Sequence, residues 1–163
     1  MIWLFVKVIL VVTVGLLRVS SVADGACPSY WTPHSDYCYI VPQIAQSWTD
    51  MMALCKAVDG ELADITSTDE NDYVAQLAKE NHPSGGEVWI GGTDSMSEGN
   101  WMWIGSGDAM VYRKWGSNQP DNSGGSEHCL GMRTSGDWND DDCSRHNRGV
   151  CKRRKYSIPV VGK

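Results

Sequence analysis

Five oxygen-bearing side chains crowd the stretch from Gly116 to Asp142: Gln119, Asp121, Glu127, Asn139 and Asp140. Three carboxylates and two amides are the donor mix a hard divalent cation requires. Calcium takes roughly six to eight oxygens and accepts carboxylates, amide carbonyls and water together. The carboxylates leave a dication with a slightly negative shell, and the amides add carbonyl donors without further repulsion. Pro120 stands between Gln119 and Asp121. A cis X-Pro bond there is accessible at modest cost and would turn both flanking side chains to one side. The rest of the stretch is mostly Gly, Ser, Asn and Asp, which is too polar for a core. So long a loop inside a compact domain is functional, disordered or held by an ion.

Catalytic machinery is not visible. The chain has no Gly-x-Ser-x-Gly elbow, no His-Glu-x-x-His pair and no phosphate-cradling glycine loop. A glycosidase needs a tuned carboxylate pair, and here the carboxylates look committed to an ion. His34, His82 and His146 lack the spacing of a zinc site. The reading is a binding protein rather than an enzyme.

These side chains need elements to position them. Trp48, Met51, Met52, Leu54, Cys55 and Val58 recur at helical spacing. Ser47 precedes them as an N-cap and Gly60 follows them. Leu62 to Ile65 reads as a strand. Ser67-Thr-Asp-Glu70 is a capping box, in which hydroxyl and carboxylate satisfy the first free amides reciprocally. The helix it opens is predicted to run to about Lys79 and to bury Tyr73, Val74 and Leu77, before Pro83 and Gly85-Gly86 end regular structure. Cys27 to Val41 reads as short extended pieces. Further strands are predicted at Val88–Ile90, Trp101–Ile104, Met110–Tyr112, Cys129–Leu130 and Val150–Cys151. Trp89, Trp101, Trp103 and Trp115 are assigned to packing, and the basic run from Lys152 to Lys155 and onward to a solvated extension.

The 163 residues suit one domain with tails. Residues 1–23 hold a ten-residue apolar run between Lys7 and Arg18, the length of a signal-peptide core and short of a bilayer span. Ser21 and Ala23 supply a cleavage point after Ala23. The expected organisation is a signal peptide over 1–23, a domain over 24–152 and a basic tail over 153–163. The net charge of −6 becomes −8 without Lys7 and Arg18, which excludes a nucleic-acid backbone as main partner. Hydrophobic content of 42% excludes wholesale disorder. Secretion implies an oxidising compartment, so Cys27, Cys38, Cys55, Cys129, Cys143 and Cys151 read as three bridges, with fifteen connectivities open. No thiol is spare for a link to another chain, and no Asn-x-Ser/Thr sequon occurs.

Several short motifs occur in a fixed order: Trp89-Ile-Gly-Gly92, Glu98-Gly-Asn-Trp101-Met-Trp103, Gln119-Pro-Asp121, Glu127-His-Cys129, Trp138-Asn-Asp140 and the final Cys151. Taken together with the cysteine pattern, the stretch from about Cys27 to Cys151 resembles the C-type lectin-like domain in its long form. The resemblance implies an α+β fold, with two helices on antiparallel sheets and a long loop region that holds calcium. It also implies the bridges Cys27–Cys38, Cys55–Cys151 and Cys129–Cys143. Gln119, Asp121, Glu127, Asn139 and Asp140 become the ligands of the principal calcium site, and the same five bind sugar. The Gln-Pro-Asp order resembles members that bind galactose and N-acetylgalactosamine. The aromatic platform frequent in strong galactose binders is absent from Asn122-Ser-Gly-Gly-Ser126, which leaves room for mixed specificity.

An auxiliary calcium site would use Asp94, Glu98 and Asn122. Asn122 and His128 stand where acidic residues are usual, and fewer carboxylates weaken a calcium site, so it is expected to be empty or weak. The implied protein is a secreted, calcium-dependent lectin of the kind used in innate immunity. Its partners would be glycans with terminal galactose or N-acetylgalactosamine, microbial surface polysaccharide among them. Nucleic acid and membrane insertion are not expected, and any homo-oligomer would be noncovalent. The alternative is a calcium-independent, protein-binding member of the same fold.

Overall fold

Helices form where apolar spacing and caps predict them. A computed structural model describes residues 25–83 and 85–156; the leader expected over 1–23 and the far end of the expected tail lie outside the described residues. Helix α1 spans Trp48–Ala57, with the Ser47 side chain accepting from the Asp50 amide and with Trp48, Met51 and Cys55 on its buried face. Helix α2 spans Thr68–Asn81. Its capping box closes on one side only. Ser67 Oγ accepts from the Glu70 amide at 3.2 Å, but Glu70 does not return the bond. Its carboxylate accepts from the Tyr39 hydroxyl at 2.6 Å and the Thr66 amide at 2.9 Å, and it pairs with Lys152. Burial pulls the Glu70 pKa upward, yet the bonds from Lys152, Tyr39 and Thr66 outweigh it and hold the pKa below its ordinary value. The cap residue has been recruited to bolt α2 to a sheet.

The strands are β1 Thr32–His34, β2 Tyr37–Ile40, β3 Glu61–Leu62, β4 Glu87–Thr93, β5 Met102–Trp103, β6 Glu127–Arg133, β7 Trp138–Asp142, β8 Arg148–Gly149 and β9 Cys151–Arg154. One antiparallel sheet has the order β1-β2-β9-β3, and the other β5-β4-β6-β7, with β8 added parallel to β4. Val88, Ile90, Leu130, Met132 and Trp138 join Val74, Leu77 and Ala78 of α2 in one buried cluster. Trp89 packs with Trp48, Met51 and Leu62 in a second. The indole N–H groups of Trp48 and Trp89 donate to Ile90 and Gln46 carbonyls at 2.9 and 3.0 Å, so neither ring carries an unpaired donor into the core. All three expected disulfides are formed: Cys27–Cys38, Cys55–Cys151 and Cys129–Cys143.

Three sequence expectations need correction. The stretch 116–142 is not one loop, because its second half is the β6–β7 hairpin, in which Trp138, Asn139 and Asp140 oppose Met132, Gly131 and Leu130. Period-two alternation is present, but an acid occupies one of the inward positions. Met110 to Tyr112 is not a strand, although Met110 is buried; the one pairing there is an isolated bridge from Met102 to Ala109.

The third correction moves a boundary. Lys152 to Arg154 form β9, paired along β2, so the expected junction at 152/153 falls inside a strand. Beyond it the Lys155 amide donates to Asp36 and the Tyr156 amide to Ala26. Basic residues serve here because their long stems cover apolar surface while their heads find acids. Lys152 Nζ sits 4.1 Å over the Tyr37 ring, and Arg153 pairs with Asp59 at 2.7 Å. Among the described residues no helix is long and apolar enough to cross a membrane.

Candidate metal centre

Asp140 is the most enclosed of the predicted ligands, 1% exposed, because β7 points it to the same side as the fully buried Trp138. That strand is held from behind. Trp138 Nε1 donates to Asn71 Oδ1 at 2.8 Å, and Asn71 Nδ2 donates to the Gly136 carbonyl at 3.1 Å, tying α2 to the turn before β7. The preceding loop folds over Asp140: the Asp121 and Asn122 amides donate to its two carboxylate oxygens at 3.1 and 2.7 Å. The Ser123 amide donates to Asp121 Oδ1 and Glu127 Oε2, both at 3.1 Å. One carboxylate oxygen from each of Asp121, Glu127 and Asp140 lies within 4.8 Å of the others.

Three carboxylates so close repel one another. The Glu127 pKa is pushed up by burial first and by the charges of Asp140, Asp141 and Asp121, against the Ser123 amide, which lowers it. A cation placed among them would reverse that effect. Gln119 adds a second sign of an ion site. Its Oε1 is buried without a hydrogen-bond partner. Buried carbonyls are normally satisfied, and a cation would satisfy this one. Asn118 and Asn122, either side of the Gln119-Pro-Asp121 segment, both adopt left-handed backbone, with φ of 62° and 43°; Asn tolerates that region better than most residues. The donor set is all hard oxygen, and it fits calcium.

The fifth predicted ligand faces elsewhere. Asn139 lies on the opposite side of β7 from Asp140. Its Oδ1 accepts from Arg133 Nη2 at 2.8 Å and its Nδ2 approaches Glu87 Oε2 at 3.4 Å. Arg133 Nε also holds Glu87 Oε1 at 3.1 Å. Neither Arg133 nor Glu87 stands out in the sequence. Their signal was the alternation through 138–142, which assigns neighbouring residues to opposite faces.

The expected auxiliary site gathers Asp94, Glu98 and His128, again within 4.8 Å. Each acid is already served. His128 Nδ1 lies 3.1 Å from Asp94 Oδ1 and 3.4 Å from Glu98 Oε2. Asn122 Nδ2 donates to Glu98 at 2.6 Å, and the Gly99 amide to Asp94 at 2.8 Å. Asn122 Oδ1 also accepts the Glu127 amide at 3.1 Å, which joins this cluster to the first. Trp138 has no surface for a ligand: it is fully buried and meets Trp103, Tyr112 and Trp115 edge-on.

Residues 44–153 match the profile of the family described as the lectin C-type domain. The chain belongs to the C-type lectin domain family. Human asialoglycoprotein receptor 2 is 33% identical to it over 151 residues, which take in 90% of this chain and 47% of the receptor. The chain thus spans about half the length of that curated relative. The mouse scavenger receptor C-type lectin carbohydrate-recognition domain superposes with a TM-score of 0.74 at 29% identity, covering 82% of this chain and 100% of that one. A calcium-independent type II antifreeze protein superposes with a TM-score of 0.71 at 29% identity, covering 80% of this chain and 96% of that one. C-type lectin architecture is therefore compatible with and without calcium, and the residues at the site have to decide.

Proposed function

We propose that this C-type lectin domain is a secreted, calcium-dependent carbohydrate-binding module for glycans ending in galactose or N-acetylgalactosamine, on cell or microbial surfaces. The observation that carries the reading is the convergence of Asp121, Glu127 and Asp140, with the buried Oε1 of Gln119, two residues before Asp121, left without a hydrogen-bond partner. These residues would hold the ion, and Asn139 would join them once β7 turns to bring its amide off Arg133. Bound calcium offers open coordination positions to two neighbouring sugar hydroxyls. The protein's own groups set the orientation. Carboxylate oxygens of Asp121 and Glu127 accept hydroxyl protons, and the Gln119 amide donates to a hydroxyl oxygen. With the amide before Pro120 and the acid after it, the donor and acceptor order is the reverse of a Glu-Pro-Asn segment. That layout favours an equatorial 3-OH with an axial 4-OH.

Similarity to a receptor named for asialoglycoproteins supports this sugar class. Asn122 to Ser126 offer no ring to stack on the sugar's apolar face, so single-site affinity is low and specificity broad. Several copies presented together would supply avidity. The auxiliary cluster takes no second calcium, because His128 and Asn122 already serve its acids. Secretion rests on the leader composition and on three disulfides, which persist in oxidising compartments.

The competing reading is a calcium-independent binder of proteins or surfaces, favoured by the engagement of Asn139 with Arg133 and by the antifreeze structure. A galactose column separates the two. Retention of the full chain in calcium, with release by a chelator or by free galactose, is the expected result. Flow-through in calcium overturns the proposal, and capture of a protein ligand that persists in chelator establishes the competing one.

A further inference from the structure

Asn139 sits in a built cradle away from the carboxylates. Arg133 Nη2 donates to its Oδ1 at 2.8 Å, a charge-assisted contact. The guanidinium is held in place by Glu87, and Glu87 also receives the Asn139 amide. Two glycines make the room. A Cβ at Gly131, directly across from Asn139, would fall 2.7 Å from Glu87 Oε2, and one at Gly116 would fall 3.0 Å from Arg133 Nη1.

We propose that Arg133 is an internal competitor for Asn139 and so sets the calcium affinity of the site. The inference rests on the calcium reading above. A carbonyl oxygen in contact with a guanidinium cannot serve a dication as well, because the two cations repel at that range. For Asn139 to join Asp121, Glu127 and Asp140, its amide has to leave Arg133 and the β7 backbone has to turn at that position, because Asn139 faces away from Asp140 in this structure. Calcium uptake is thereby coupled to release of Arg133, whose guanidinium is left with Glu87.

The test is a calorimetric calcium titration of the full chain as wild type, Arg133→Met, Asn139→Ala and the double variant, each first shown to be folded by circular dichroism. Losing a hydrogen bond to a charged group corresponds to about tenfold in a binding constant, so R133M is expected to bind calcium about tenfold more tightly. The gain should vanish in the N139A background, as a double-mutant cycle requires of two residues acting on one another. Arg133→Lys, which keeps the charge and loses the planar fork, should fall between wild type and R133M; it carries the test should R133M not fold. Equal or weaker binding by R133M, or by R133K where that stands in, overturns the proposal. A gain that persists in N139A overturns it too, since it would reflect only a less positive surface. Calcium binding by wild type without the gain defeats the Arg133 role alone, whereas no binding in any variant defeats the calcium reading with it.

Discussion

Asp140 accepts two backbone amides from the loop that carries Asp121, and it also contributes an oxygen to the carboxylate trio. Asp140→Ala therefore removes a ligand and unlatches the loop, and is expected to abolish measurable calcium uptake in a titration while the fold survives by circular dichroism. Glu127 gives the site its acid sensitivity. Its pKa is raised, chiefly by burial, so protons compete with calcium at a higher pH than for an ordinary carboxylate. Affinity should be full near neutrality and fall as the solution is acidified through that raised pKa, which a calcium titration repeated at falling pH will follow. Exchanging the groups either side of Pro120, as Q119E with D121N, reverses the donor and acceptor order. Retention is expected to move from a galactose to a mannose column. At this scale the sequence was informative, because ligand chemistry is carried by residue type. The orientation of Asn139 was not legible, since it depends on which face of β7 it occupies and on Arg133 and Glu87, which are distant in the sequence or unremarkable beside it.

At the scale of elements, α2 positions the site through one side chain. Asn71 is fully buried and bridges Trp138 Nε1 and the Gly136 carbonyl. Asn71→Ala leaves both groups buried and unpaired, a loss of about 2–4 kcal/mol in denaturant unfolding, and it frees the turn ahead of Asp140. Both helices could be read from apolar spacing and Ser caps, which are local signals. Of the β6–β7 hairpin only Cys129–Leu130 was read as strand, and β7 was missed because Asp140 takes an inward position that a hydrophobic pattern reserves for an apolar residue. Strand β9 was read only as far as Cys151 for the same reason, with Lys152 carrying its charge inward to Glu70. Both failures lie where a polar side chain has a specific partner, and one of them is the site itself.

Over the whole molecule, the seam between the two sheets holds an unhelpful charge. Asp64 follows β3 and packs against Gly91 of β4, whose Cβ would fall 2.7 Å from its Oδ1. Its Oδ1 is buried without a partner, and burial pushes its pKa up to about 6 despite bonds from Ser106 and the charge of Lys152. A carboxyl with a raised pKa in the fold costs nothing while protonated in both states. As pH rises from about 4 to 6 the unfolded chain ionises first, so this group's contribution to stability falls and stays low above that window. Asp64→Asn should accordingly stabilise by about 1–2 kcal/mol at pH 7 and by little at pH 4, measured by denaturant unfolding at both. The disulfide framework was legible as an even cysteine count in an oxidising context, but its pairing required the family resemblance, because connectivity depends on the path of the chain.

On the proposed reading, the Gln119-Pro-Asp121 loop and the β6–β7 hairpin would close on one calcium ion. Calorimetric titration of the purified full chain with calcium at neutral pH tests it most directly. One ion per chain, with uptake lost in Asp140→Ala, is the predicted result; an absence of heat and of any thermal stabilisation by calcium in the wild type would contradict it.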